Sequence, residues 1–179
     1  RLRTWRNGRL DPFVQDSRAT ALGPCVGATA ADLDADGALD LVLVRPDGEV
    51  AVARGVGRGA FAVVGDVPTR RVGARAVATT DVDGDGRLDL VAFGATATVF
   101  RALRGGRFAV EPLALPAGDR DALALLDADA DGDVDAVLAG RGAPPAYLRN
   151  AAPVAGHALR LRLRGSAQRP PSVSTWATA

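Results

Sequence analysis

ADLDADGALDL, residues 31–41, crowds four aspartates into nine positions and then runs into apolar residues. Two carboxylates about 4 Å apart repel by roughly 4 kcal/mol at an effective dielectric of about 20. A loop built this way must splay, take up protons or hold a cation. The pattern recurs as TDVDGDGRLDL at 80–90 and LDADADGDVDA at 126–136. The first aspartates are thus Asp32, Asp81 and Asp127, spaced 49 and 46 residues apart. Apolar runs precede each copy (VGATAA, ARAVATT, DALALL) and follow it (LDLVLV, LDLVAF, VDAVLA). Farther on, GRGAFAVV at 57–64 answers GGRFAV at 105–110, and RNGRLDPF near the start holds the same place in an earlier unit. Self-similarity at so regular a period is the mark of a repeat architecture.

The units read as short strands. In the second unit, apolar or alternating runs bounded by Gly, Pro and Asp place strands near 75–80, 88–93, 96–103 and 107–113. A helix would need a run of about ten or more residues at 3.6 periodicity, and glycine interrupts every candidate. Four short strands per unit match one β-propeller blade, a small antiparallel sheet. The expected fold is therefore all-β, with about three four-stranded blades over 1–150 and a separate C-terminal segment over 151–179. The first unit lacks its start, and closure takes about four blades, so a partial or open propeller is expected.

Bulk composition agrees with a folded chain. It has 179 residues, 47% hydrophobic, with a formal net charge of +1, whereas disorder needs fewer apolar residues and less balanced charge. No apolar run approaches the roughly 20 residues of a membrane-spanning helix, so no membrane insertion is expected. The opening RLRTWRNGRL carries charge with no apolar stretch behind it, unlike a signal peptide, and reads as an excerpt of a longer protein. All 22 basic residues are arginine and they are scattered, which fits a solvated surface better than a nucleic-acid patch. Cys25 is the one cysteine, so the chain has no internal disulfide framework, and a small buried hydrophobe is its simplest role.

The spacing D-x-D-x-D-G-x-x-D has its own chemistry. Side chains at positions 1, 3 and 5 of a tight loop converge on one point, and glycine at position 6 permits the sharp turn. Position 7 offers a backbone carbonyl and position 9 a last carboxylate. Such an all-oxygen cage suits a hard cation of six or more ligands, calcium better than magnesium, which keeps its waters. No His or Cys lies within the loops, which argues against zinc. Solvated Asp-rich turns are the plain alternative for one copy, and three matched copies weigh against it. An EF-hand would need a bidentate Glu at position 12 and flanking helices. Position 12 is Leu43, Ala92 and Leu138, and both flanks are strand-like, so an EF-hand is rejected.

The loops DLDADGALD, DVDGDGRLD and DADADGDVD, each leading into an apolar strand, resemble FG-GAP repeats of the variant called VCBS. The third unit continues AVLAGRGAP, whose Gly142, Ala143 and Pro144 spell the GAP element. The resemblance covers roughly residues 1–150. It implies propeller blades with a calcium loop between the first two strands of each, about three calcium sites in all. Carried over by position, it implies side-chain ligands Asp32, Asp34, Asp36 and Asp40; Asp81, Asp83, Asp85 and Asp89; and Asp127, Asp129, Asp131 and Asp135. Ala38, Arg87 and Asp133 would each give a backbone carbonyl, leaving the Asp133 side chain to solvent. The strand ALRLRLRG at 158–165 resembles the start of an ASPIC/UnbV domain, but AQRPPSVSTWATA stands where that family's glycine-rich segment belongs.

No nucleophile elbow, Cys–His pair or phosphate-cradling glycine loop is present, and the lone His157 fits a surface or capping side chain. The expectation is a non-enzymatic, calcium-stabilised binding or adhesion module of an extracellular, cell-surface or periplasmic protein. It would recognise a protein or glycan, bind no nucleic acid, and pack against the remaining blades of its parent. The alternative is a calcium-stabilised scaffold of a secreted enzyme whose catalytic residues lie elsewhere.

Overall fold

The computed structural model describes residues 4–6, 14–16, 22–64, 71–115, 118–141 and 143–151. The expected strand at 158–165, His157 and the segment 167–179 lie outside these residues.

The described residues form strands and no α-helix. A two-stranded ribbon, β1 (Thr4–Arg6) and β2 (Val14–Asp16), comes first. The first blade is β3 (Gly27–Ala31), β4 (Asp40–Val44), β5 (Val50–Gly55) and β6 (Phe61–Val64), antiparallel in sequence order. The second is β7 (Ala74–Thr80), β8 (Asp89–Gly94), β9 (Ala97–Ala102) and β10 (Phe108–Leu113), each within a residue of its expected bounds. The third holds three strands among the described residues, β11 (Ala122–Leu126), β12 (Asp135–Gly140) and β13 (Ala143–Leu148). The four sheets are separate, so the described array is open.

The second strand of each blade explains how the blades stack. LVLV and LVAF read as continuous apolar runs because both faces of these strands are buried. Val42 and Val44 point into a core shared with Leu90, Ala92 and Phe100 of the second blade. The intervening Leu43, with Leu41 beside it, faces the other way, onto Leu22, Cys25 and Phe61. Phe93 then joins Leu138 and Leu123 of the third blade. Burying one such side chain contributes about 1.5–3 kcal/mol. The position-12 residues Leu43, Ala92 and Leu138 are each 1% exposed within these cores, which leaves no place there for an EF-hand glutamate.

First strands neighbour one another: β7 lies against both β3 and β11. At that contact a Cβ on Gly27 would sit 3.0 Å from the Arg75 carbonyl oxygen, so glycine permits the close approach. The acidic loops join first to second strands at the ends of these packed sheets.

Candidate metal centre

Each loop is folded by its own aspartates before any ligand is considered. In the first two loops the position-1 carboxylate caps the turn: Asp32 accepts from the N–H groups of Asp36 and Gly37 at 3.1 and 2.9 Å. Asp81 accepts from those of Gly84, Asp85 and Gly86. Position 5 accepts from the position-7 N–H, as in Ala38 to Asp36 and Arg87 to Asp85, and in Asp133 to Asp131. The turn needs left-handed backbone twice. Position 6 is glycine at φ 86, 83 and 99° (Gly37, Gly86, Gly132), and position 4 is Ala35, Gly84 or Ala130 at 59, 70 and 63°.

These turns gather carboxylates. Oxygens of Asp32, Asp34 and Asp36 lie within 4.8 Å of one another, as do those of Asp81, Asp83 and Asp89, and of Asp127, Asp129 and Asp131. The described residues therefore carry three acidic clusters that could hold a metal ion. The gathering is not identical across loops. Asp85, expected beside Asp81 and Asp83, is instead ion-paired with Arg87. Asp133 is half-buried, and burial, then the charges of Asp131 and Asp127, push its carboxyl up.

The ninth-position aspartates do something that spacing alone does not reveal. Asp40, Asp89 and Asp135 are fully buried, and each fastens its loop to the end of the third strand. Asp40 accepts from the Leu33 N–H at 3.1 Å and from the Gly55 N–H at 2.8 Å. Asp89 repeats this with Val82 at 2.9 Å and Ala102 at 2.7 Å. Asp135 repeats it with Ala128 at 3.0 Å and Asn150 at 2.8 Å, and adds the Tyr147 hydroxyl at 2.9 Å. Among the three, Asp89 also stands within its acidic cluster, while Asp40 and Asp135 stand outside theirs.

An arginine beside each of these strand ends went unread in the sequence. Arg54 lies 3.4 Å from the position-3 carboxylate Asp34, and 2.6 Å from Asp40. Arg101 lies 3.6 Å from Asp83, and Arg149 lies 2.5 Å from Asp129 and 3.0 Å from Asp131. In each blade the next residue, Gly55, Ala102 or Asn150, is the one whose N–H meets the ninth-position carboxylate. The available signal was an arginine closing every third strand, in VARG, FRA and LRN.

Charge and burial set the carboxyls apart. Burial pushes Asp89 up to about 6 against its two backbone donors, and the nearby charges of Asp83 and Asp81 add to the rise. The Asn150 N–H, assisted by Ala128, Tyr147 and Arg149, outweighs burial and holds Asp135 below the usual carboxylate range. Hydrogen bonding to Arg149 lowers Asp129 in the same way. The second loop carries Arg87 on Asp85 and Arg101 at 3.6 Å from Asp83, and its Asp89 still feels the charges of Asp83 and Asp81. Its Asp83 Oδ1 is buried and accepts no hydrogen bond among the described residues, a cost normally offset by a donor or an ion.

A family model described as FG-GAP-like repeat matches residues 32–92. That segment is an FG-GAP-like repeat. The FG-GAP-like match opens on the first aspartate of the first loop and runs through the ninth-position Asp89 into β8, so it takes in two acidic loops. The third loop, 127–135, lies past the matched residues and repeats their left-handed turn positions and ninth-position clamp. No curated protein matches the chain. Among the described residues no helix is long and apolar enough to cross a membrane.

Proposed function

We propose that this propeller-type repeat module binds calcium in its three acidic loops and serves binding or adhesion, without catalysis, in an extracellular, surface or periplasmic protein. The observation that carries the calcium reading is the buried, unbonded Oδ1 of Asp83 in a cluster with Asp81 and Asp89. An anionic oxygen left dry without a donor is costly, and an all-oxygen set suits a hard divalent cation. Asp32, Asp34 and Asp36 would hold a second ion, and Asp127, Asp129 and Asp131 a third. Each would be joined by the carbonyl of Ala38, Arg87 or Asp133 in its own loop. Calcium, when bound, supplies positive charge where the loops concentrate negative charge.

The protein's own residues do the rest. The ninth-position aspartates fasten each loop to its blade, so a cation drawn to positions 1 and 3 stiffens a whole blade rather than a free turn. This suits a structural role. FG-GAP repeats are typical of extracellular and surface proteins, which supports both the location and a ligand of protein or glycan type, presented with the parent's remaining blades. The acidic side chains are committed to the loops, which supports a binding role over acid–base chemistry.

Thermal melting tests the reading. Millimolar calcium is expected to raise the midpoint and a chelator to lower it. Each independent site adds about 1.4 kcal/mol at tenfold excess over its dissociation constant. An identical curve in both buffers rules calcium out. By titration calorimetry, Asp83→Asn should remove one site and leave two.

A further inference from the structure

Between the first two blades lies a cleft of about 470 Å3, within the range of pockets that take one small ligand. One wall is the turn Arg104–Arg107 that joins β9 to β10, pinned by the Leu103 N–H donating to the Arg107 carbonyl at 2.7 Å. The opposite wall is the first acidic loop, with Asp32 and Asp34. Phe108 and Leu103 supply apolar surface between them.

The arginines of this cleft are not alike. Arg54 is committed to Asp34 and Asp40, and Arg87 to Asp85. Arg104 and Arg107 are exposed and have no side-chain hydrogen bond or ion pair among the described residues. Two uncommitted guanidinium groups on one short turn match a carboxylate, which each can grip in bidentate fashion. A ligand lodged there also meets carboxylates on the far wall, which accept hydrogen bonds and repel further negative charge.

We propose that this cleft binds a uronic-acid sugar. Its carboxylate pairs with Arg104 and Arg107, and its ring lies against Phe108 and Leu103. In the calcium-free chain its hydroxyls donate to Asp32 and Asp34, beside the Asp36 and Gly37 N–H groups and Arg54 that these carboxylates already meet. A neutral sugar would leave both arginines unpaired. An acidic peptide would bring extra carboxylates against Asp32 and Asp34 and few donors for them. The arginine pair holds the ligand, so the site goes beyond the calcium reading; Asp32 and Asp34 would serve the first calcium loop as well, and the sugar is therefore read in calcium-free protein.

Titration calorimetry with galacturonic acid tests this on the whole chain. Calcium is removed with a chelating resin, because a dissolved chelator is itself a polycarboxylate that would compete. Galacturonate is expected to bind at least about tenfold more tightly than galactose. The double variant Arg104→Ala, Arg107→Ala should lose that advantage while keeping the parent's melting temperature, since both side chains are exposed. Failure of galacturonate to bind, equal binding of galactose, or undiminished binding by the variant overturns the proposal. Triglutamate binding as tightly as galacturonate overturns the sugar assignment. None of these results bears on calcium-dependent melting, so the two readings fail separately.

Discussion

Asp89 and Asp135 hold the same place in their repeats and titrate in opposite directions. Both are buried and both accept two backbone N–H groups. Asp135 gains a tyrosine hydroxyl and a nearby arginine, whereas Asp89 faces two more carboxylates. The folded-state value of Asp89, about 6, lies above its ordinary 3.8. The folded chain therefore holds that proton more tightly than the unfolded chain. The stability this confers is complete below about pH 4 and is lost as pH rises to about 6. The ceiling is about 3 kcal/mol, from the free-energy equivalent of a pKa unit. The lowered values of Asp129 and Asp135 act in a separate window, where stability falls as pH drops below about 4. Urea midpoints in calcium-free buffer should thus fall between pH 4 and 6, and Asp89→Asn should flatten that stretch. A profile that rises across it would mean the backbone donors outweigh burial.

At the scale of the element, each acidic loop is clamped by a carboxylate that belongs to the strand behind it. Removing Asp40 leaves the N–H groups of Leu33 and Gly55 without their acceptor and the largely buried Arg54 without its closest partner. Stranding buried partners of this kind costs about 3–5 kcal/mol. Asp40→Ala should therefore cost several kcal/mol by denaturant unfolding, while Leu39→Ala next to it, 60% exposed, should stay within about 0.5 kcal/mol. Comparable losses for the two would refute the clamp. This element also marks how far sequence reading reaches. Strand positions were legible because three copies in register fix where the apolar runs begin and end. The clamp was not, because a carboxylate in the ninth position has the same letter whether it holds a cation or a backbone amide. The arginines that follow were hidden twice. They are 3 of 22, and their distance from the ninth-position aspartate differs between blades, 14 residues from Asp40 to Arg54 but 12 from Asp89 to Arg101.

In the molecule as a whole, stability is held at the blade interfaces. Leu138, 1% exposed, packs with Phe93 and Ala97 across the boundary of the second and third blades. Leu138→Ala should cost about 2–5 kcal/mol, as buried leucines do when a cavity remains. The loss should appear as a shift of one transition, read by both fluorescence and circular dichroism. A separate early transition would mean that the third blade unfolds alone. The parity of the second strands has a further consequence. Even and odd positions serve opposite neighbours, so each blade shows one kind of surface backward and its complement forward. A duplicated unit inserted between two others would meet a surface it already fits on either side. Such a chain can lengthen by copying itself, without having to invent a new contact.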